Sequence, residues 1–148
     1  MTRFRYALQP ALDAALARER EARGLVFARK RALALERTAL AVLEADAAAT
    51  RAALAAGLVS QTGVYAEVGR RLEALAKAAW ASRERTTIAA RAVAGARDAL
   101  AIAAQRRSAL ERHRARKRSA HETLAALREA AELDEANALS AGRRFVRR

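Results

Sequence analysis

The chain has 148 residues, 30% of them charged, with a formal net charge of +13, a sequence pI near 11.6, no cysteine and a single proline. More than half of its hydrophobic residues are alanine, so few bulky side chains exist to fill a round core, and long helices rich in Ala, Glu, Leu and Arg are what the composition favours. The same features exclude a disulfide framework, a thiolate nucleophile and a cysteine-based metal site, and they steer the surface toward acidic partners.

At the start, Arg3 and Arg5 precede no apolar run of signal-peptide length, and no later stretch approaches the ~18 apolar residues of a membrane span. A cytoplasmic protein is therefore expected. Phe4, Tyr6 and Leu8 stand at alternate positions in a segment that ends at Gln9-Pro10. Proline fits a first helical turn, where its missing N–H has no helical partner to lose, so helix one is predicted over about 9–56. Only Gly24 interrupts that span. Leu8, Leu12, Ala15, Ala22, Val26, Leu33, Leu40, Leu43, Ala47 and Leu54 recur at alternating spacings of four and three, with Glu19, Arg29, Glu36 and Thr50 as polar members. That series is a coiled-coil seam.

Gly57, Gly63 and Gly69 then punctuate AAGLVSQTGVYAEVGRR, beside Ser60, Thr62 and the β-branched Val59 and Val64. Each glycine inside a helix costs about 1 kcal/mol relative to alanine, so their clustering predicts a reversal over 57–69. A second series follows at Val68, Leu72, Leu75, Ala79, Ser82, Thr86, Ala89, Val93, Ala96, Leu100, Ala103, Arg107 and Leu110. It turns polar at Arg114 and Lys117, and an apolar stripe resumes at Leu124, Leu127 and Ala131. Helix two is predicted over about 66–140, longer than helix one and overhanging it, before a basic tail at 142–148. The fold class is all-α: two long helices in one antiparallel coiled-coil hairpin spanning 1–148. One register pairs Leu54 with Leu72, Leu40 with Thr86, Leu33 with Val93 and Val26 with Leu100, and it sets Glu19 opposite Arg107 as a charged pair within the seam.

Catalytic, cofactor and metal sites are not expected. His113 and His121 are eight residues apart, whereas two helical ligands to one metal need a spacing of four. No Lys-Ser or Lys-Thr follows the Gly57 to Gly63 stretch to make a phosphate loop, and no serine sits in a nucleophile elbow. Glu67, Glu73 and Glu84 stand singly near basic residues, as surface helix pairs do. The sharpest charge feature is QRRSALERHRARKR at 105–118, with Arg106, Arg107, Arg112, Arg114, Arg116, Lys117 and Arg118 against one acid. Such a run is either a solvated face or a docking surface for phosphates or carboxylates. No aromatic interleaves it, which argues against base stacking.

The two ends carry a family resemblance. The opening FRYALQPALDAALAREREARG resembles the F-x-F-x-L-Q-x-L-L-D and following R-E-x-E of FliJ, the small stalk protein of bacterial flagellar type III export. The closing ELDEANALSAGRRFVRR is similar to that family's E-x-x-x-L-D-E run and R-R-F-x-R terminus. Tyr6 replaces the second phenylalanine of the opening, and the middle is alanine-rich and basic, which keeps an injectisome stalk of the YscO type beside it. The resemblance implies a hairpin stalk with no active site of its own. Its terminal end would insert in a hexameric export ATPase and link it to the cytoplasmic domain of the membrane export gate, receiving substrate chaperones. Matched position by position, the terminal motifs also include Gln9, Arg18, Glu19, Asp134 and Glu135, and the ATPase-binding residues would be Phe4, Arg5, Tyr6, Leu8, Leu12, Leu133, Arg143, Arg144 and Phe145. The protein would be cytoplasmic, peripheral to the inner-membrane export apparatus, with no cofactor and no specific nucleic acid. The alternative reading is a basic coiled coil that binds nucleic acid, supported by the pI and the 105–118 run.

Overall fold

The structure, a computed structural model, describes residues 4–57 and 62–146, and of these the side chains of 62, 63 and 139–146 are not described. It is all-α. Helix α1 (Gln9–Ala55) and helix α2 (Thr62–Val146) pack as an antiparallel hairpin, and the second is the longer, 85 residues against 47. No helix among the described residues is long and apolar enough to cross a membrane.

Helix α1 starts where the sequence places it. The Gln9 amide donates to the Tyr6 carbonyl at 3.1 Å, closing a turn, and the Leu12 amide opens the helical ladder on the Leu8 carbonyl at 3.0 Å. Pro10 falls in that first turn, where no amide is needed. At the other end the Ala56 amide reaches the Ala52 carbonyl at 3.0 Å, and Gly57 adopts φ 66°. This is a left-handed C-terminal stop that a side chain would strain.

The reversal is tighter than the glycine spacing predicts. Helix α2 begins at Thr62, so Gly63 and Gly69 lie inside it, and the break falls between Ala55 and Thr62. Residues 58–61 lie outside the described residues. One left-handed glycine suffices to end the ladder, whereas extending a helix already nucleated tolerates two glycines at about 1 kcal/mol each. Extension also carries α2 past the predicted end near 140 and through Gly142 into the tail.

The chain divides into two compact units, Met1–Arg18 with Ala104–Arg148, and Glu19–Ala103. Within each, burial follows the two seams. On α1 the buried residues are Leu12, Ala15, Glu19, Val26 and Ala47, and on α2 they are Ala79, Ser82, Val93 and Ala96. All nine belong to the predicted series. The exposed series members are Leu8, Arg29, Arg114 and Lys117. Leu8 precedes the helix and Arg29 carries a charge that stays in water.

In the Glu19–Ala103 unit, Arg83 donates to Glu44 at 2.7 Å and Arg85 to Glu36 at 3.1 Å, both across the two helices. A groove there is lined by Leu33 and Val93 together, the pair that the sequence register sets opposite each other. Glu67 and Glu73 make the expected surface pairs, with Arg70 and Lys77. Glu19 is buried and accepts from Arg23 one turn along its own helix at 2.8 Å.

Ser82 stands out in this unit: its exposure is 0% and its hydroxyl oxygen has no hydrogen-bond partner. An orphaned buried hydroxyl is costly, whereas alanine fills nearly the same space. Ser82→Ala should therefore stabilise the protein by on the order of 1 kcal/mol, read as a higher midpoint in urea unfolding. A lower midpoint would mean the hydroxyl is satisfied.

Candidate docking surface beside the N-terminal segment

The unit formed by Met1–Arg18 and Ala104–Arg148 brings together most of the residues that the sequence singles out. Before α1 begins, residues 4–8 run as a short irregular segment and turn, and they lie against α2. Two ring contacts hold them. Phe4 meets His121 with ring centroids 5.6 Å apart and planes tilted by 60°, and Tyr6 meets His113 at 5.7 Å and 46°. The Tyr6 hydroxyl donates to the Leu110 carbonyl at 3.2 Å and lies 3.0 Å from His113 Nδ1. With its one proton on the carbonyl, that hydroxyl is left to accept from Nδ1–H.

This explains why the second seam turns polar at Arg114 and Lys117. Beyond Leu110, α2 runs along the segment that precedes α1. It meets the aromatics of residues 4–6, and the half-buried positions become His113, His121 and Ala125, while Arg114 and Lys117 are exposed. An irregular chain advances farther per residue than a helix, so five residues suffice to line a groove running from His113 to Leu124. By spacing alone the two histidines invite only the question of a metal, which a separation of eight residues answers in the negative. The signal for their real packing was there: a pair of aromatics at alternate positions ahead of one helix, and rings eight residues apart where the other helix loses its apolar seam.

The groove measures about 410 Å³, and its walls include Phe4, Tyr6, Leu8, His121 and Leu124, with Arg5 and Lys117 at the edge. On the other flank Phe4, Arg5, Tyr6, Gln9 and Arg114 line a second hollow. The segment is thus an apolar ridge between cations. Leu12, in the first turns of α1, is buried and lines neither hollow. Leu133 is exposed on α2, where every described side chain from 126 to 138 is exposed, as the predicted overhang requires.

The basic run divides in two. Arg107 pairs with Glu111 at 2.5 Å and Arg118 with Glu122 at 2.8 Å, each one turn along α2. Arg106, Arg112, Arg114, Arg116 and Lys117 make no ion pair or hydrogen bond among the described residues. Arg143, Arg144 and Phe145 fall in the last turns of α2, and their side chains lie outside the described ones. Glu19 belongs to the other unit.

Chemically the arrangement is an apolar groove edged by cations. It offers no carboxylate pair or activated nucleophile at the groove, and the described residues contain no group of three or more His, Cys, Asp or Glu fit to hold a metal. What it offers is a set of apolar contacts framed by unpaired positive charge, a combination suited to an acidic protein surface with an apolar centre. No family model, curated protein or solved structure matches the chain.

Proposed function

We propose that the chain is a non-catalytic stalk of a type III export apparatus, similar to FliJ or to its injectisome counterpart, and that the surface around Phe4, Tyr6 and the 105–118 run docks on a hexameric export ATPase. The observation that carries this reading is the ridge of Phe4, Tyr6 and Leu8 set among Arg5, Arg114 and Lys117. The terminal motifs that resemble the family's, the opening one as far as Arg18, belong to the same unit as that ridge. Apolar side chains in desolvated pockets dominate affinity in most interfaces, while surrounding charge sets encounter rate and orientation. In this reading the histidines hold the aromatics in place, and the partner covers their outer faces. Links to the cytoplasmic domain of the export gate and to substrate chaperones follow from the family resemblance, as does a peripheral place at the inner membrane.

The test is binding of the purified chain to a hexameric export ATPase and stimulation of its ATP hydrolysis. Phe4→Ala combined with Tyr6→Ala should weaken binding at least 100-fold, about 3 kcal/mol for two interface aromatics, and abolish stimulation. Helicity should not change, because both residues precede α1. Tyr65→Ala, exposed near the start of α2, should leave both readouts intact. Loss of stimulation in the Tyr65 variant alone would reverse the proposed orientation.

The five unpaired cations favour a second reading, nonspecific binding of nucleic acid. There the affinity for duplex DNA should fall linearly with log salt, with a slope near −0.9 per phosphate neutralised. The two readings part at Phe4 and Tyr6, whose loss would leave phosphate contacts untouched.

A further inference from the structure

Within the Glu19–Ala103 unit the hairpin has two unlike sides. With Leu12 and Ala15 as heptad positions a and d, the e and b positions form one side and the g and c positions the other. The e side carries the groove of Leu33, Ala34, Ala90, Val93 and Ala94, rimmed by Lys30, Arg37 and Arg97. The other side differs sharply. Between residues 22 and 45 of α1 and between 86 and 103 of α2, every g and c position is apolar or glycine: Leu25, Ala28, Ala32, Leu35, Ala39 and Val42, then Ile88, Ala92, Gly95, Ala99 and Ile102. Its large members are 45% to 67% exposed, far more than a seam residue. Nothing lies within 4 Å of the space a Cβ would take at Gly95.

We propose that this side is the contact face of a homodimer, covered by the same face of a second copy. Three observations select that occupant. The face presents knobs (Leu25, Leu35, Ile88, Ile102) and hollows (Gly95 and the alanines) together, so it complements itself under a two-fold axis, as an isologous interface requires. The basic rim of Lys30, Arg37 and Arg97, whose charges have no partner among the described residues, makes two copies repel when they approach by the e side. Only the apolar side can be brought together. At this level the neighbouring cation, Arg85, is already taken up by Glu36.

The size agrees. At ~1.5 Å per residue the window is about 27 Å long, and two helices side by side are roughly 20 Å wide, so each copy would cover about 500–600 Å². The total, about 1,100 Å², sits just above the ~1,000 Å² at which a specific interface becomes plausible, which corresponds to a reversible dimer and not a permanent one. Phe27 and Trp80, also exposed, are at b positions and fall outside the face.

Sedimentation equilibrium of the full chain over a micromolar to millimolar range tests this. The mass should rise from 16.0 kDa toward twice that value, and raising salt should leave the association unchanged or stronger. Leu35→Glu with Ile88→Glu should hold the chain at the monomer mass, weakening association at least 10-fold, with helicity and the thermal midpoint preserved. Phe27→Glu, on the basic side, should dimerise like the parent. A parent that stays monomeric throughout, a dimer that survives the paired glutamates, or an assembly that keeps growing beyond two copies would each overturn the proposal.

Discussion

Leu12→Ala should destabilise the protein by about 2–5 kcal/mol, the cost of deleting a buried leucine in a structure that cannot collapse around the hole. Leu12 is 2% exposed at the start of the α1 seam. The effect is large because a two-helix hairpin has only one seam. Each layer buries one or two side chains, most of them alanine or other small residues here, so no neighbour is bulky enough to fill the gap. Leu127→Ala, at 62% exposure on α2, should by contrast fall within about 0.5 kcal/mol. Urea unfolding followed by helical dichroism separates the two. Equal losses would mean that Leu127 is covered in solution by a part of the protein, or a partner copy, that packs on the overhang.

Replacing Arg112, Arg114, Arg116 and Lys117 together by glutamine should slow association with a hexameric export ATPase by roughly 10- to 1,000-fold at low salt, the span over which electrostatic steering acts. These four make no ion pair or hydrogen bond among the described residues, so their removal takes away charge without orphaning a carboxylate. Arg107 and Arg118 are kept because Glu111 and Glu122 depend on them. The difference between parent and variant should vanish near 1 M salt, where the screening length is about 3 Å. An unchanged association rate at low salt would remove the run from the docking surface and leave the apolar ridge as its only support. Stopped-flow mixing at several salt concentrations gives the answer directly.

The sequence by itself determined a great deal of the fold. Alternating spacings of four and three from Leu12 to Leu54 and from Val68 to Leu110 are a property of the helix period, and a helix presents those positions to its neighbour whatever the neighbour is. Hence every buried residue among the described ones falls in the two series. The candidate surface was legible in part: the aromatics at 4 and 6 and the cations of 105–118 are visible as residue types, and the loss of the apolar seam at Arg114 is visible as a break in pattern.

What only the tertiary structure decided lies where the helix period stops applying. Three glycines in a row of residues do not say which one takes the left-handed conformation, because that depends on where the ladder runs out of partners. It is Gly57, with the other two absorbed into α2. Likewise, residues 4–6 have no period, so nothing local tells which part of a helix one hundred residues away they will cover. Long-range packing set Phe4 on His121 and Tyr6 on His113, and so turned two histidines with no metal spacing into the supports of the ridge. The pairing within the basic run was settled in the same way. Helical spacing allows Arg107 to reach Glu111 and Arg118 to reach Glu122, but which cations remain unpaired depends on how the side chains lie, and that was read only from the folded chain.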